Sequence, residues 1–128
     1  MATLPDAARA LVDAPELATI ATVEPDGQPQ LSPVWVKRDG DDILFSTTKG
    51  RRKPKNLGRT PQISVLMWPK DSPYTYLEVR GTGTVTEDPE AALINELSLK
   101  YEGEAYPDKP EEERLIVRVT PAKVLWRT

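Results

Sequence analysis

Cysteine and histidine are both absent from this sequence. Without cysteine there is no disulfide, no thiolate nucleophile and no cysteine-ligated metal. Without histidine, serine–histidine catalysis, imidazole general bases and the common zinc sites are excluded as well. Any catalysis falls to carboxylates, lysine, tyrosine or a borrowed cofactor. No apolar run reaches the length of a membrane span. The opening MATLPDAARALVDAPEL carries acids and lacks the basic start and long apolar stretch of a secretory signal, so a cytoplasmic location is expected. An overall basic excess is missing too. The 17 Lys and Arg residues are outnumbered by 20 Asp and Glu, for a net charge of -3, which argues against a general nucleic-acid binder.

The 128 residues are about the length of one ordinary domain, so one domain over 1–128 is expected. A short helix is predicted at Asp6–Val12, with Leu4, Ala8, Leu11 and Val12 on one face. Short β-branched runs follow, separated by turn chemistry: Leu17–Val23, Pro29–Lys37, Ile43–Thr47 and Gln62–Trp68. Pro33 cannot donate to a ladder, which marks its strand as an edge or a bulge. In Tyr76–Thr86 the alternation points Leu77, Val79, Gly81, Gly83 and Val85 one way, and Glu78, Arg80, Thr82, Thr84 and Thr86 the other. Glycines inside such a strand signal sharp bending or close approach of another backbone. Glu78 and Arg80 read as a solvent or subunit-facing pair.

Asp88-Pro89-Glu90 reads as a helix start with Asp88 as cap, followed by an apolar stripe of Leu93, Ile94, Leu97 and Tyr101. Arg114–Thr120 and Ala122–Trp126 complete the set as two strands or one bent strand. Many short strands joined by turns predict a mainly β fold, a small antiparallel barrel of six to seven strands with two or three helices outside.

Against the acidic total, one stretch stands out: STTKGRRKPKNLGRTP, Ser46 to Pro61. It gathers Lys49, Arg51, Arg52, Lys53, Lys55 and Arg59, six of the 17 cations. Pro54 suits a helix's first turn, so a helix is predicted to start near Lys53 and run from Pro54 to Thr60. Its free N–H groups and positive dipole end then converge with Ser46, Thr47, Arg51 and Lys53 just beyond a strand, an arrangement that suits a phosphate. The competing reading is a solvated basic helix, its charge offset by the ten acids against two bases between Glu87 and Glu113. A nucleic-acid patch would want interleaved aromatics, and residues 49 to 60 contain none.

The succession LATIATVEPDGQPQLSPVWV, ILFSTTKGRRKPKNLGRTPQISVLMW and YTYLEVRGTGTV resembles the pyridoxamine 5'-phosphate oxidase-like split β-barrel superfamily. Within it, the sequence is most similar to the actinobacterial flavin/deazaflavin oxidoreductases that use coenzyme F420. That resemblance implies a Greek-key, FMN-binding split barrel and a homodimer with the cofactor at the subunit interface. It implies that Arg51, Lys53, Asn56 and Leu57 belong to the cofactor-phosphate motif, with Arg52 beside them and Ser46 and Thr47 near the phosphate or its linker. Gln30, Leu31, Ser32 and Pro33 would lie along the tricyclic ring. Tyr74 and Tyr76 would line the ring or substrate space from the partner subunit, and they are the candidate proton donors. The implied activity is hydride transfer between reduced F420 and a small electron-poor acceptor, such as an activated double bond or a quinone-like ring. FMN-dependent oxidoreduction and non-enzymatic F420 carriage are the alternatives.

Two departures narrow this. Authentic pyridoxamine phosphate oxidases carry a C-terminal arginine motif where this chain ends Trp126-Arg127-Thr128, and haem-degrading relatives need segments and a ligand absent here. At Pro33 related sequences often carry Asn or Ser, whose side chain can bond the ring. Lys49, Arg52, Lys55 and Arg59 exceed what one phosphate needs, and on this reading they meet the polyglutamate tail of F420. Trp68 ends its strand either in the core or lining the cofactor cavity.

Overall fold

The computed structural model describes residues 2–72 and 74–128. The strands are β1 (Ala18–Val23), β2 (Pro29–Val34), β3 (Lys37–Asp39), β4 (Asp42–Thr48), β5 (Gln62–Met67), β6 (Tyr76–Glu87) and β7 (Arg114–Arg127). The helices are α1 (Asp6–Asp13), α2 (Arg52–Arg59) and α3 (Ala92–Glu102). All seven strands form one antiparallel sheet in the order β2-β1-β5-β6-β7-β4-β3.

This order forces the sheet to curl. Only Trp35 and Val36 join edge strand β2 to the opposite edge strand β3. Laid flat, seven strands would hold those edges roughly 29 Å apart at about 4.8 Å per strand. A link of two residues spans at most about 11 Å. The edges therefore approach without pairing, which makes a split β-barrel. Pro33 sits on the edge strand, where its missing N–H costs no ladder bond.

The barrel is filled by alternating side chains, among them Ile20, Phe45, Val65, Leu77, Val79 and Val117, none of them measurably exposed. The apolar face of α1 joins this core through Ala8, Leu11 and Val12, with Leu4 just before the helix beside them. A smaller cluster outside the barrel packs Leu93 and Leu97 of α3 on Leu44, with Trp35, Tyr101 and Ile116 alongside.

Two boundaries differ from those read in the sequence, and a third, left open there between two strands and one bent strand, proves to be one strand. The run from Pro29 to Lys37 is two strands, because the chain crosses the split at Trp35-Val36. Residues 114–127 form one strand, bulged where Gly81 meets it. A Cβ at Gly81 would lie 2.1 Å from the Thr120 carbonyl oxygen, so the bare backbone is what lets β6 and β7 cross there. The other difference is α3, which begins at Ala92 rather than beside Asp88. Pro89–Ala91 forms a turn, closed by the Ala91 N–H on the Asp88 carbonyl (2.9 Å), with Ala91 at φ +56°. Asp88 still caps the helix from across that turn, accepting from the N–H groups of Ala92 (3.2 Å) and Leu93 (2.9 Å). Val85, read as sharing the face of the buried Leu77 and Val79, is 37% exposed, because β6 has by then outrun β5 and pairs only with β7.

Candidate functional site: a cationic cleft at the split

Strand β4 ends in Ser46-Thr47-Thr48, and Gly50, at φ +91°, turns the chain into α2. A side chain at that dihedral would be strained, so glycine is what permits the tight reversal. The Arg51 N–H donates to the Thr48 carbonyl (3.3 Å), closing the turn. Helix α2 then begins at Arg52, one residue before the expected start, with Pro54 third in the helix. Proline there removes a donor that the first turn leaves unpaired anyway. No side chain caps this helix and no acid stands in its first turn. The helix start therefore points unneutralised N–H groups toward the end of β4.

In front of it lies a cleft of about 280 Å³, lined by Leu17, Pro33, Val34, Trp35, Ser46, Thr47, Arg51, Lys53, Ile94 and Leu97. One rim is polar and cationic, from the β4 end and the mouth of α2. The opposite wall is apolar, from the residue before β1, the end of β2, the β2–β3 crossover and α3. Arg51 and Lys53 have no ion-pair or side-chain hydrogen-bond partner among the described residues. Burial pushes the Lys53 ammonium below its ordinary range, and the neighbouring Arg51 guanidinium pushes it the same way. Two like charges held together without a counter-ion make this rim a place where an anion is favoured.

The other residues singled out in the sequence scatter. Asn56 and Leu57 do not line the cleft; both are buried under α2. The Asn56 amide donates to Thr22 Oγ1 (3.0 Å), and Arg59 donates to Asn56 Oδ1 (2.7 Å) and to the Val23 carbonyl (3.2 Å). These bonds moor the helix to β1, so this half of the motif fixes the position of Arg51 and Lys53. Arg52 turns away to Glu24 (2.6 Å), and the two share a shallow groove with Gln30 at the β1–β2 hairpin. On β2, Leu31 and Pro33 are exposed, while the Ser32 hydroxyl is buried without a partner. Ser46 accepts from Arg114 (3.4 Å), whose guanidinium also donates to Tyr106 (2.6 Å) and Glu112 (2.9 Å). Tyr74 is 87% exposed and Tyr76 half-buried on the outer side of β6, neither in the cleft of this chain.

Trp68 follows the last residue of β5, is 41% exposed, and lines neither core nor cleft. The tryptophan in the cleft is Trp35. Its placement depends on the crossover and on its stack against Tyr101 of α3, a pairing that no local stretch of sequence signals.

Comparison with known proteins assigns this split barrel to a family. The chain belongs to the pyridoxamine 5'-phosphate oxidase family, whose model matches residues 4–126. Among solved structures it is similar to one named F420 reductase, with 31% identity and a TM-score of 0.86, over 95% of this chain and 98% of that one. It is also similar to a conserved hypothetical protein from Mycobacterium tuberculosis, at 25% identity and TM-score 0.79, over 98% and 85% of the two chains. General Stress Protein 26 from Bacillus anthracis shares the fold, at 20% identity and TM-score 0.72, over 92% and 88%.

Proposed function

We propose that the cleft binds the deazaflavin coenzyme F420 and that the protein is an F420-dependent oxidoreductase. The observation that carries this reading is the pair Arg51 and Lys53, without a side-chain partner among the described residues, at the uncapped start of α2 and lining the cleft. The residues present fit an anionic cofactor that bears a flat ring. Cations, backbone N–H groups and the Ser46 and Thr47 hydroxyls suit a phosphate. The wall of Leu17, Pro33, Val34 and Trp35 suits an aromatic face. Similarity to a protein named F420 reductase supports the choice of deazaflavin.

When bound, reduced F420 supplies a hydride to an electron-poor carbon of a small organic acceptor, such as an activated double bond or quinone-like ring. The chain's own part is to anchor the phosphate, hold the ring against the apolar wall and exclude water. At about 280 Å³ the cleft falls just under the roughly 300–1,000 Å³ of ordinary small-molecule pockets, which suits a site completed by a second copy of the chain. The outer sheet face offers a surface for that copy. Leu31 and Leu125 are exposed there, and Pro33, Leu66 and Leu125 lie in one cross-strand row with Thr19 and Glu78 between them. In such a homodimer Tyr74 and Tyr76 reach the partner's cleft, and Tyr76 is the first candidate proton donor.

FMN is the second reading, favoured by the state of the remaining cations. Arg52 and Arg59 are engaged within the chain, and Lys49 lies 3.9 Å from Glu113. Lys55 is thus the one basic side chain of this stretch beyond Arg51 and Lys53 with no partner among the described residues, against a tail of several glutamates. Parallel titrations with oxidised F420 and FMN separate the two. Tighter binding of F420, weakened by Lys55→Ala only when the glutamate tail is present, supports the deazaflavin. Tight binding without turnover of any acceptor would make the protein a carrier.

A further inference from the structure

Two adjacent residues of α3 converge on the chain segments that build the apolar wall, although neither lines the cleft. The Lys100 ammonium donates to the Val12 and Val36 carbonyls, both at 2.7 Å. The Tyr101 hydroxyl donates to the Glu16 carbonyl (2.7 Å) and accepts from the Val36 N–H (3.1 Å). Its ring stacks on Trp35 with centroids 5.5 Å apart and planes 12° from parallel. Val36 follows Trp35, and Glu16 precedes Leu17, so both anchored backbones adjoin residues of the wall.

The crossover needs this clamp. Trp35 and Val36 belong to no strand, so no ladder fixes them as it fixes Pro33 and Val34. An indole on such a link would otherwise sample several rotamers. Stacking on a ring whose own hydroxyl is bonded at both ends leaves it one orientation. We propose that Tyr101 and Lys100 are positioning residues, which hold the Trp35 face of the cleft in register with Arg51 and Lys53 so that a ring anchored by its phosphate meets a preformed wall. This inference rests on the cofactor reading of the cleft for its effect on binding, but not for its effect on Trp35 itself.

The test uses a Trp68→Phe/Trp126→Phe background, in which Trp35 is the sole tryptophan and its anisotropy and acrylamide quenching report its freedom. Tyr101→Phe keeps the ring and loses both backbone bonds, Tyr101→Leu loses the stack too, and Lys100→Met removes the second anchor. The expected result is graded. Trp35 anisotropy falls and quenching rises from Tyr101→Phe to Tyr101→Leu, and the Kd for F420 or FMN rises in the same order, reaching about tenfold for Tyr101→Leu. Tyr101→Phe is the guard against misfolding, since it changes one oxygen. Unchanged anisotropy in folded Tyr101→Leu overturns the proposal. So does a Kd that stays at the parent value while Lys53→Ala still weakens binding. If Lys53→Ala binds as the parent does, the cofactor reading falls instead, and Trp35 anisotropy alone decides whether the clamp exists.

Discussion

Gly83 of β6 lies directly under Leu57 of α2: a Cβ at Gly83 would stand 3.1 Å from Leu57 Cδ2. Its N–H donates to the Pro61 carbonyl (2.8 Å), so the bare strand seats both the helix and the segment leaving it. Gly83→Ala makes Leu57 yield by a few tenths of an ångström and tilts the helix that carries Arg51 and Lys53. It is expected to cost about 1 kcal/mol in urea unfolding and to weaken cofactor binding. Gly81→Ala meets backbone instead of a side-chain tip, 2.1 Å from Thr120, and should cost about 3 kcal/mol by the same measurement.

Asn56 tests whether the second half of the basic motif holds the helix or the ligand. Asn56→Leu removes the Thr22 and Arg59 bonds in a buried place. The expected loss is about 1–3 kcal/mol of stability, with phosphate affinity reduced only through movement of α2. Lys53→Ala should do the opposite, sparing stability and removing affinity. Thermal melts beside titrations resolve the two patterns.

Lys100 gives the fold a pH signature. Burial lowers its pKa from 10.5 to about 8. Between those values the unfolded chain holds a proton the folded one has released, so stability rises as the pH climbs from about 8 toward 10.5. The neutral amine still donates two hydrogen bonds, so its contacts to Val12 and Val36 survive the titration. Urea midpoints at pH 7.5 and 9.5 should show the rise in the parent and lose this part of it in Lys100→Met.

Arg114 is the buried cation behind Ser46, its side chain 9% exposed, bonded to Glu112 and Tyr106 and lying 4.9 Å from the Tyr106 ring centroid. Arg114→Met leaves the Glu112 carboxylate without its counter-ion and should cost about 3 kcal/mol. Glu112→Gln in that variant removes the stranded charge and should recover part of the loss, as measured by chemical unfolding.

The barrel was legible because its strands announce themselves by alternation and β-branching, as in Leu77 and Val79 or Val117 and Val119. The cationic rim was legible because Gly50, Arg51, Lys53 and Pro54 are contiguous, and a loop-to-helix turn is a local event. What stayed hidden is tertiary. Trp35 became a wall residue by a stack with Tyr101, and nothing near either residue signals the other. The resemblance gave Asn56 to the cofactor-phosphate motif, and its bond from α2 to Thr22 of β1 is a contact that no local pattern shows. Arg52 looked as free as Lys53 until Glu24, at the end of β1, met it. The α3 start was misplaced because Asp88 caps across a turn, a geometry that the bare Asp-Pro pair does not distinguish from a direct cap.

The central claim is that Arg51 and Lys53 at the mouth of α2 hold an anionic redox coenzyme. Fluorescence titration of the apo-protein and of Lys53→Ala with oxidised F420 and with FMN tests it most directly. The account predicts saturable binding of at least one coenzyme, weakened tenfold or more by the substitution, a change of about 1.4 kcal/mol. Equal affinity in both proteins, or no binding of either coenzyme, would contradict it.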